Sequence, residues 1–379
     1  MIKLGIERIN EYSSIFAGKR VGLITNPTGM TSDFRSSIDV LKEKTNLVAL
    51  FSPEHGVRGN IQAGEKLEAY FDSETGCIVH SLYGKDRKPT KEMMDGIDVL
   101  CMDIQDAGSR FYTYIYTMAY AMTACKEYDK EFVIFDRPNP ASAKEFEGNI
   151  LDLKFRSFVG YYPILQRYGL TIAELAKMFN TEYEINCKLH TILMKNYKRE
   201  MYYPDTKLPW VMPSPNFPTP MTALVYNATC IFEGTNLSEG RGTTAPFHYV
   251  GAPWINPVDY AEKLNSYKLP GVHFRALYFT PMFSKNEKLL CGGVEVHVLD
   301  VNKFKAVKVG WLMLYVVRKM YPNDFKVLPP YTEGRPCMLE FNTGCDYIKE
   351  DKYEIDKLFS IIDKETKIFA KTRKKYLLY

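Results

Sequence analysis

A chain of 379 residues is long enough for two domains of about 150 residues each, and its 46% apolar and 25% charged make-up excludes both a disulfide-held miniature and a wholly disordered polymer. Lys and Arg number 49 against 45 Asp and Glu, and a net charge of +4 spread over this length is too small to mark a nucleic-acid stripe. The eight cysteines form no CxxC pair and read as reduced, mostly buried thiols.

Lys19 to Thr25 predicts a strand closed by Asn26, Pro27 and Gly29, followed by a helix over Phe34 to Lys42 and an apolar strand over Leu47 to Phe51. The rhythm returns with a strand at Val99 to Ile104, a helix at Tyr112 to Tyr128 and a strand at Phe132 to Phe135. Near-continuous apolar strands need both faces covered, so an α/β fold with a parallel sheet and crossover helices is expected for residues 1–160. Thr171 and Glu174 form a capping-box pattern opening a helix to Phe179. A proline-rich passage from Pro204 to Pro220, an alternating strand from Gly293 to Val301 and a helix from Val307 to Lys319 predict a smaller mixed α+β domain over 161–379. The best apolar run, Val307 to Val317, is short and interrupted by Lys308, so no transmembrane segment is expected. Met1 to Asn10 lacks a signal-peptide apolar segment. The protein is either cytoplasmic, or periplasmic or secreted after removal of a segment preceding residue 1.

Ligands in such sheets sit at the carboxyl ends of the strands, where three polar clusters fall: Pro53 to Gly56, then Asp103, Gln105 and Asp106, then Asp136, Arg137 and Asn139. The dinucleotide fingerprint GxGxxG, the phosphate loop GxxxxGK[ST] and the nucleophile elbow GxSxG are all absent from the sequence. Glu54 follows a strand and precedes Gly56, where partial burial would lift a carboxyl from about 4.3 toward neutrality and fit it to protonate a departing oxygen. His55 either orients Glu54, contacts ligand, or is a satisfied loop histidine. The fork of Arg110 suits a carboxylate through two parallel hydrogen bonds, or else a salt bridge to Asp103 or Asp106. Tyr112 is the member of its tyrosine stripe best placed for a pocket, and Asn216 sits on a rigid proline corner. The glycine-spaced run from Phe232 to Thr244 carries Glu233, Glu239 and Arg241, and either glutamate would supply the second carboxyl group that glycosidases use, unless Glu239 simply pairs with Arg241.

GLITNPTG at Gly22 to Gly29, FSPEHGVRG at Phe51 to Gly59, YGKDRKPT at Tyr83 to Thr90, DIQDAGSRFYTY at Asp103 to Tyr114, DRPNP at Asp136 to Pro140, PSPNFPT at Pro213 to Thr219, FEGTNLSEGRGTTAPF at Phe232 to Phe247 and CGGVEVHV at Cys291 to Val298 run in order through most of the chain. In these stretches the sequence resembles the exo-β-N-acetylmuramidases of the NamZ type, formerly the domain of unknown function DUF1343 and now glycoside hydrolase family 171. Two positions differ from the pattern: His248 where an acidic residue is expected, and Ala141 to Lys144 in place of a glycine-containing turn.

The resemblance implies a Rossmann-like N-terminal domain used for a sugar, a smaller C-terminal domain and an active site between them. It also implies removal of terminal N-acetylmuramic acid from the non-reducing end of peptidoglycan-derived glycans, in cell-wall turnover or recycling; that chemistry requires no cofactor, and with no HExxH or closely spaced His/Asp set no catalytic metal is expected. The family's EHG glutamate falls on Glu54, and its other polar motifs fall on Asp103, Gln105, Arg110, Tyr112, Glu233, Glu239 and Arg241. Muramic acid carries a lactyl carboxylate, so a cationic anchor is expected: Arg110 first, then Arg58, Arg87 or Arg241. The competing readings are a non-catalytic peptidoglycan-fragment binding protein and a metal-dependent hydrolase or esterase. No nucleic acid or dinucleotide partner is expected.

Overall fold

The structure, a computed structural model, describes residues 2–53, 56–58, 69–82 and 87–379. Among these, β1 (Arg20–Thr25), β2 (Asn46–Ser52), β3 (Tyr70–Phe71), β4 (Ile78–Ser81), β5 (Val99–Asp103) and β6 (Glu131–Phe135) join a strand at Lys188–Ile192 in one sheet. Two short strands, β7 (Glu147–Ile150) and β8 (Leu165–Arg167), pair with each other outside it, which makes Lys188–Ile192 β9. The order is β3-β4-β2-β1-β5-β6-β9, parallel throughout except for the β3–β4 pair. The chain winds outward from β1 through β2 and then restarts at β5 on the other side, so β1 and β5 flank the topological switch point.

Side chains alternate between the faces of the sheet as the strand period requires. Val21, Leu23, Val99, Cys101, Val133 and Phe135 pack with α1 (Ser37–Lys44) and the N-terminal segment on one face. Ile24, Leu100, Met102, Phe132 and Ile134 pack against α2 (Lys91–Asp95), α3 (Tyr114–Glu127) and α4 (Ile172–Glu182) on the other. The capping box forms at the start of α4: the Glu174 carboxylate accepts from the Thr171 N–H at 2.9 Å, and Thr171 Oγ1 accepts from the Glu174 N–H at 3.4 Å.

The expected boundary between residues 160 and 161 falls inside this unit, because α4 and β9 beyond it belong to the same sheet and core. Strand pairing of β9 with β6 links residues 131–135 to 188–192, a distance that local patterning does not encode. The remainder is α5 (Pro220–Thr229), β10 (Tyr249–Ala252), α6 (Pro257–Ser266), β11 (Val272–Phe279), β12 (Cys291–Val298), α7 (Ala306–Met320), α8 (Met338–Thr343) and α9 (Ile355–Arg373). Its antiparallel sheet, ordered β10-β12-β11, and its helices share a second core around Leu224, Val294, Trp311 and Leu339. The chain then returns to the first unit, where the Tyr379 hydroxyl donates to Asp136 at 2.6 Å and the Leu378 N–H donates to Glu174 at 2.7 Å. All eight cysteines are buried and unbridged, and no described helix is long and apolar enough to cross a membrane.

Candidate active site

Thr25 at the end of β1 lies beside Asp103 at the end of β5, and the turn after β1 builds outward from there. The Thr28 N–H donates to Asn26 Oδ1 at 2.9 Å, the Gln105 N–H donates to Thr28 Oγ1 at 2.9 Å, and Asn26 Nδ2 donates to the Tyr114 hydroxyl at 2.8 Å. That hydroxyl in turn donates to the Pro213 carbonyl at 2.7 Å, drawing the proline-rich passage over the strand ends. Glu54 and His55 lie outside the described residues.

Several groups expected to bind substrate are held by the protein itself. Asp103 is fully buried; Arg137 donates to both its oxygens at 2.6 and 2.8 Å, and the Ser37 hydroxyl donates to it as well. Gln105 spends its amide protons on the carbonyls of Asp106 and Pro138 at 2.9 and 2.8 Å, leaving Oε1 without a partner among the described residues, at the edge of a narrow cleft shared with Thr28, Arg137 and Tyr203. Arg58 forks onto Asp72 at 2.7 and 2.9 Å and lies 2.9 Å from Glu74.

The expectation of Arg110 as the anion anchor is corrected. Its guanidinium is fully buried and donates to the carbonyls of Asn149 at 2.7 Å, Ile164 at 3.0 Å, Asn342 at 3.2 Å and Thr343 at 2.7 Å. Gly344, at φ 70°, permits this approach: a Cβ there would lie 2.8 Å from Arg110 Nη2. The fork therefore grips main chain, with no face left for a sugar. The neighbouring Asp106, also buried, accepts from the Tyr168 hydroxyl and from the Gly108 N–H at 2.6 Å. Burial pushes its carboxyl up to about 6 against the pull of those hydrogen bonds.

Tyr112 is 8% exposed and belongs to a buried cluster of rings. Its ring meets Tyr114 edge-on at 4.9 Å, Phe217 at 5.2 Å and Tyr226 at 6.0 Å, and Tyr226 continues to Phe247 at 4.7 Å. Asn216, on the segment that supplies Phe217, is half-buried and its side chain makes no hydrogen bond among the described residues.

Beyond Phe247 the cluster meets the glycine-spaced run. The guanidinium of Arg241 lies 5.0 Å over the Phe247 ring, with Nη2 2.5 Å from Glu233 and Nε 3.2 Å from Glu239. Burial opposes its charge, and the two carboxylates more than offset that, raising it above its ordinary value. Lys285 adds a second cation, with Nζ 2.8 Å from Glu239 Oε2 and its hydrogen bonds directed at the carbonyls of Phe232 and of Thr235, the latter at 3.0 Å. Glu239 is 1% exposed between these cations and pairs with Arg241, the second of the two arrangements expected for it. Glu233 and Arg241 retain 25% and 31% of their side-chain exposure. Lys285 and the ring pair Tyr226–Phe247 escaped sequence reasoning because nothing local links them to the acidic run.

The fold and these clusters define a doubly wound α/β protein whose polar strand ends are joined by a buried aromatic cluster to an acid–arginine loop of a second unit. The chain matches the family models described as exo-beta-N-acetylmuramidase NamZ, N-terminal, over residues 21–221 and C-terminal over 224–379. It is 48% identical to the peptidoglycan beta-N-acetylmuramidase NamZ of Bacillus subtilis (strain 168) across 100% of this chain and 91% of that protein. Two crystal structures of DUF1343 family proteins from Bacteroides fragilis NCTC 9343 superpose with TM-scores of 0.92 and 0.78, at 40% and 33% identity, over 100% of this chain and 99% of each. The chain belongs to the NamZ exo-β-N-acetylmuramidase family.

Proposed function

We propose that this protein is a glycoside hydrolase, an exo-β-N-acetylmuramidase releasing terminal non-reducing N-acetylmuramic acid from peptidoglycan-derived glycans. The observation that carries the reading is 48% identity along the whole chain to a relative named for that activity. The site chemistry agrees with it. A terminal muramic acid presents hydroxyls, an acetamide and a lactyl carboxylate. Asn216 offers an amide group for the first two, and Arg241 is the partly exposed cation for the third. Glu54 is assigned as the general acid that protonates the departing sugar oxygen, with His55 beside it in sequence. Of the two glutamates in the second unit, Glu233 has the exposure to meet the sugar or the attacking water; Glu239 holds Arg241 and Lys285 in place.

The test is incubation with a disaccharide bearing terminal N-acetylmuramic acid, following the released sugar and its anomer over time by NMR. Release of muramic acid, with none from a terminal N-acetylglucosamine control, is expected. Glu54→Gln should keep the fold and lower turnover by about a thousandfold or more. Binding of the disaccharide without cleavage by the unaltered protein would replace the enzyme reading with a binding protein, and loss of activity in a chelator would favour a metal hydrolase.

A further inference from the structure

The connection between β11 and β12 runs over residues 280–290, far longer than the two residues an antiparallel pair requires. It is pinned to the acid–arginine run at several points. The Met282 N–H donates to the Gly242 carbonyl at 2.9 Å, Asn286 Nδ2 donates to the Asn236 carbonyl at 3.1 Å, and Lys285 reaches the carbonyls of Phe232 and Thr235. Gly242, at φ 79°, has no room for a side chain: a Cβ would lie 2.6 Å from the Phe283 carbonyl oxygen and 2.7 Å from its nitrogen. One residue from Arg241, then, the backbone of Phe283 is held against the run by direct contact.

Next to Gly242 this pinned segment shows two apolar side chains to solvent, ahead of the polar Ser284, Glu287 and Lys288. Met282 is 63% and Phe283 54% exposed, next to a cluster of opposite charges that is itself partly open. An isolated exposed apolar residue needs no explanation, but two consecutive ones fixed beside a polar site do. The flat face of a pyranose carries C–H groups and its rim carries hydroxyls, so a ring or thioether beside carboxylates and a guanidinium matches it on both counts.

Resting on the muramidase reading, we propose that Met282 and Phe283 form the landing face for the sugar on the leaving-group side of the scissile bond. They would thereby favour a glycan over a muramic acid bearing a small leaving group. The occupant is the penultimate sugar of the chain, because the backbone of Met282 and Phe283 lies against Gly242, the residue after the Arg241 assigned to the terminal one.

The experiment compares kcat/KM on a linear tetrasaccharide with terminal N-acetylmuramic acid and on the fluoride of N-acetylmuramic acid, whose leaving group has no sugar face. Phe283→Ala is expected to lower the glycan-to-fluoride ratio about fivefold through KM, and Phe283→Trp to restore it. An unchanged ratio, or an equal loss on both substrates with a lowered melting temperature, overturns the assignment while leaving the muramidase reading intact. An unaltered protein that cleaves neither substrate overturns that reading, and this inference with it.

Discussion

At the strand ends, Asp103, Arg137 and Arg110 are enclosed and every charge meets a partner supplied by the protein. In the 232–242 run, Glu233 and Arg241 are paired with each other and still keep a quarter to a third of their side chains in solvent. Burying a charge is tolerated only when it is paired and hydrogen-bonded, so the first group is scaffold whose removal should unfold the protein. The second group has spare hydrogen-bonding capacity and an accessible face, which is what a ligand needs. Polar density in the sequence is the same in both places; the difference lies in which partners the fold delivers.

The largest expected effect tests that contrast directly. Arg110→Ala should cost about 4 kcal/mol or more in urea unfolding, since several buried carbonyls lose a charged donor together. A variant that kept its stability and lost only its preference for muramic acid would return Arg110 to the ligand and erase the distinction. Arg241→Ala should instead leave the melting temperature within a few degrees and weaken binding of muramic-acid-terminated glycans about tenfold, or about 1.4 kcal/mol. Isothermal titration against glycans ending in N-acetylglucosamine checks whether the loss is specific to the lactyl carboxylate.

A smaller effect distinguishes the scaffold by pH. Asp136 is buried, and burial pushes its carboxyl up to about 7 despite hydrogen bonds from Tyr379 and the Ala173 N–H. The folded state therefore favours the protonated form. Stability from this group is fully present below the unfolded value near 4 and is lost as pH rises through about 7. Melting temperatures measured from pH 4 to pH 8 should fall for the unaltered protein more steeply than for Asp136→Asn. Parallel curves would show that Asp136 is charged throughout.

Much of the first unit was legible because its signals are local. Continuous burial in Val21 to Ile24 and Val99 to Met102, and the reciprocal bonds of Thr171 and Glu174, follow from residues a few positions apart. The same locality placed the clusters that begin at Asp103 and Asp136 at the carboxyl ends of β5 and β6. What could not be read is the identity of partners. Whether Arg110 grips a ligand or main chain is decided by Asn342 and Thr343, more than 230 residues away, and the state of Glu239 by Lys285. The extent of the first unit was hidden in the same way by the pairing of β6 with β9.

The carbonyl grip of Arg110 also has a mechanical meaning. By fastening the segment before α3 to β7, to the approach of β8 and to the end of α8 through one rigid planar group, it joins the first unit to the second. Tyr379 adds a second tether from the far end of the chain. With two such fastenings, a change in either unit is passed to the other through the main chain itself, as a frame braced at two corners resists racking.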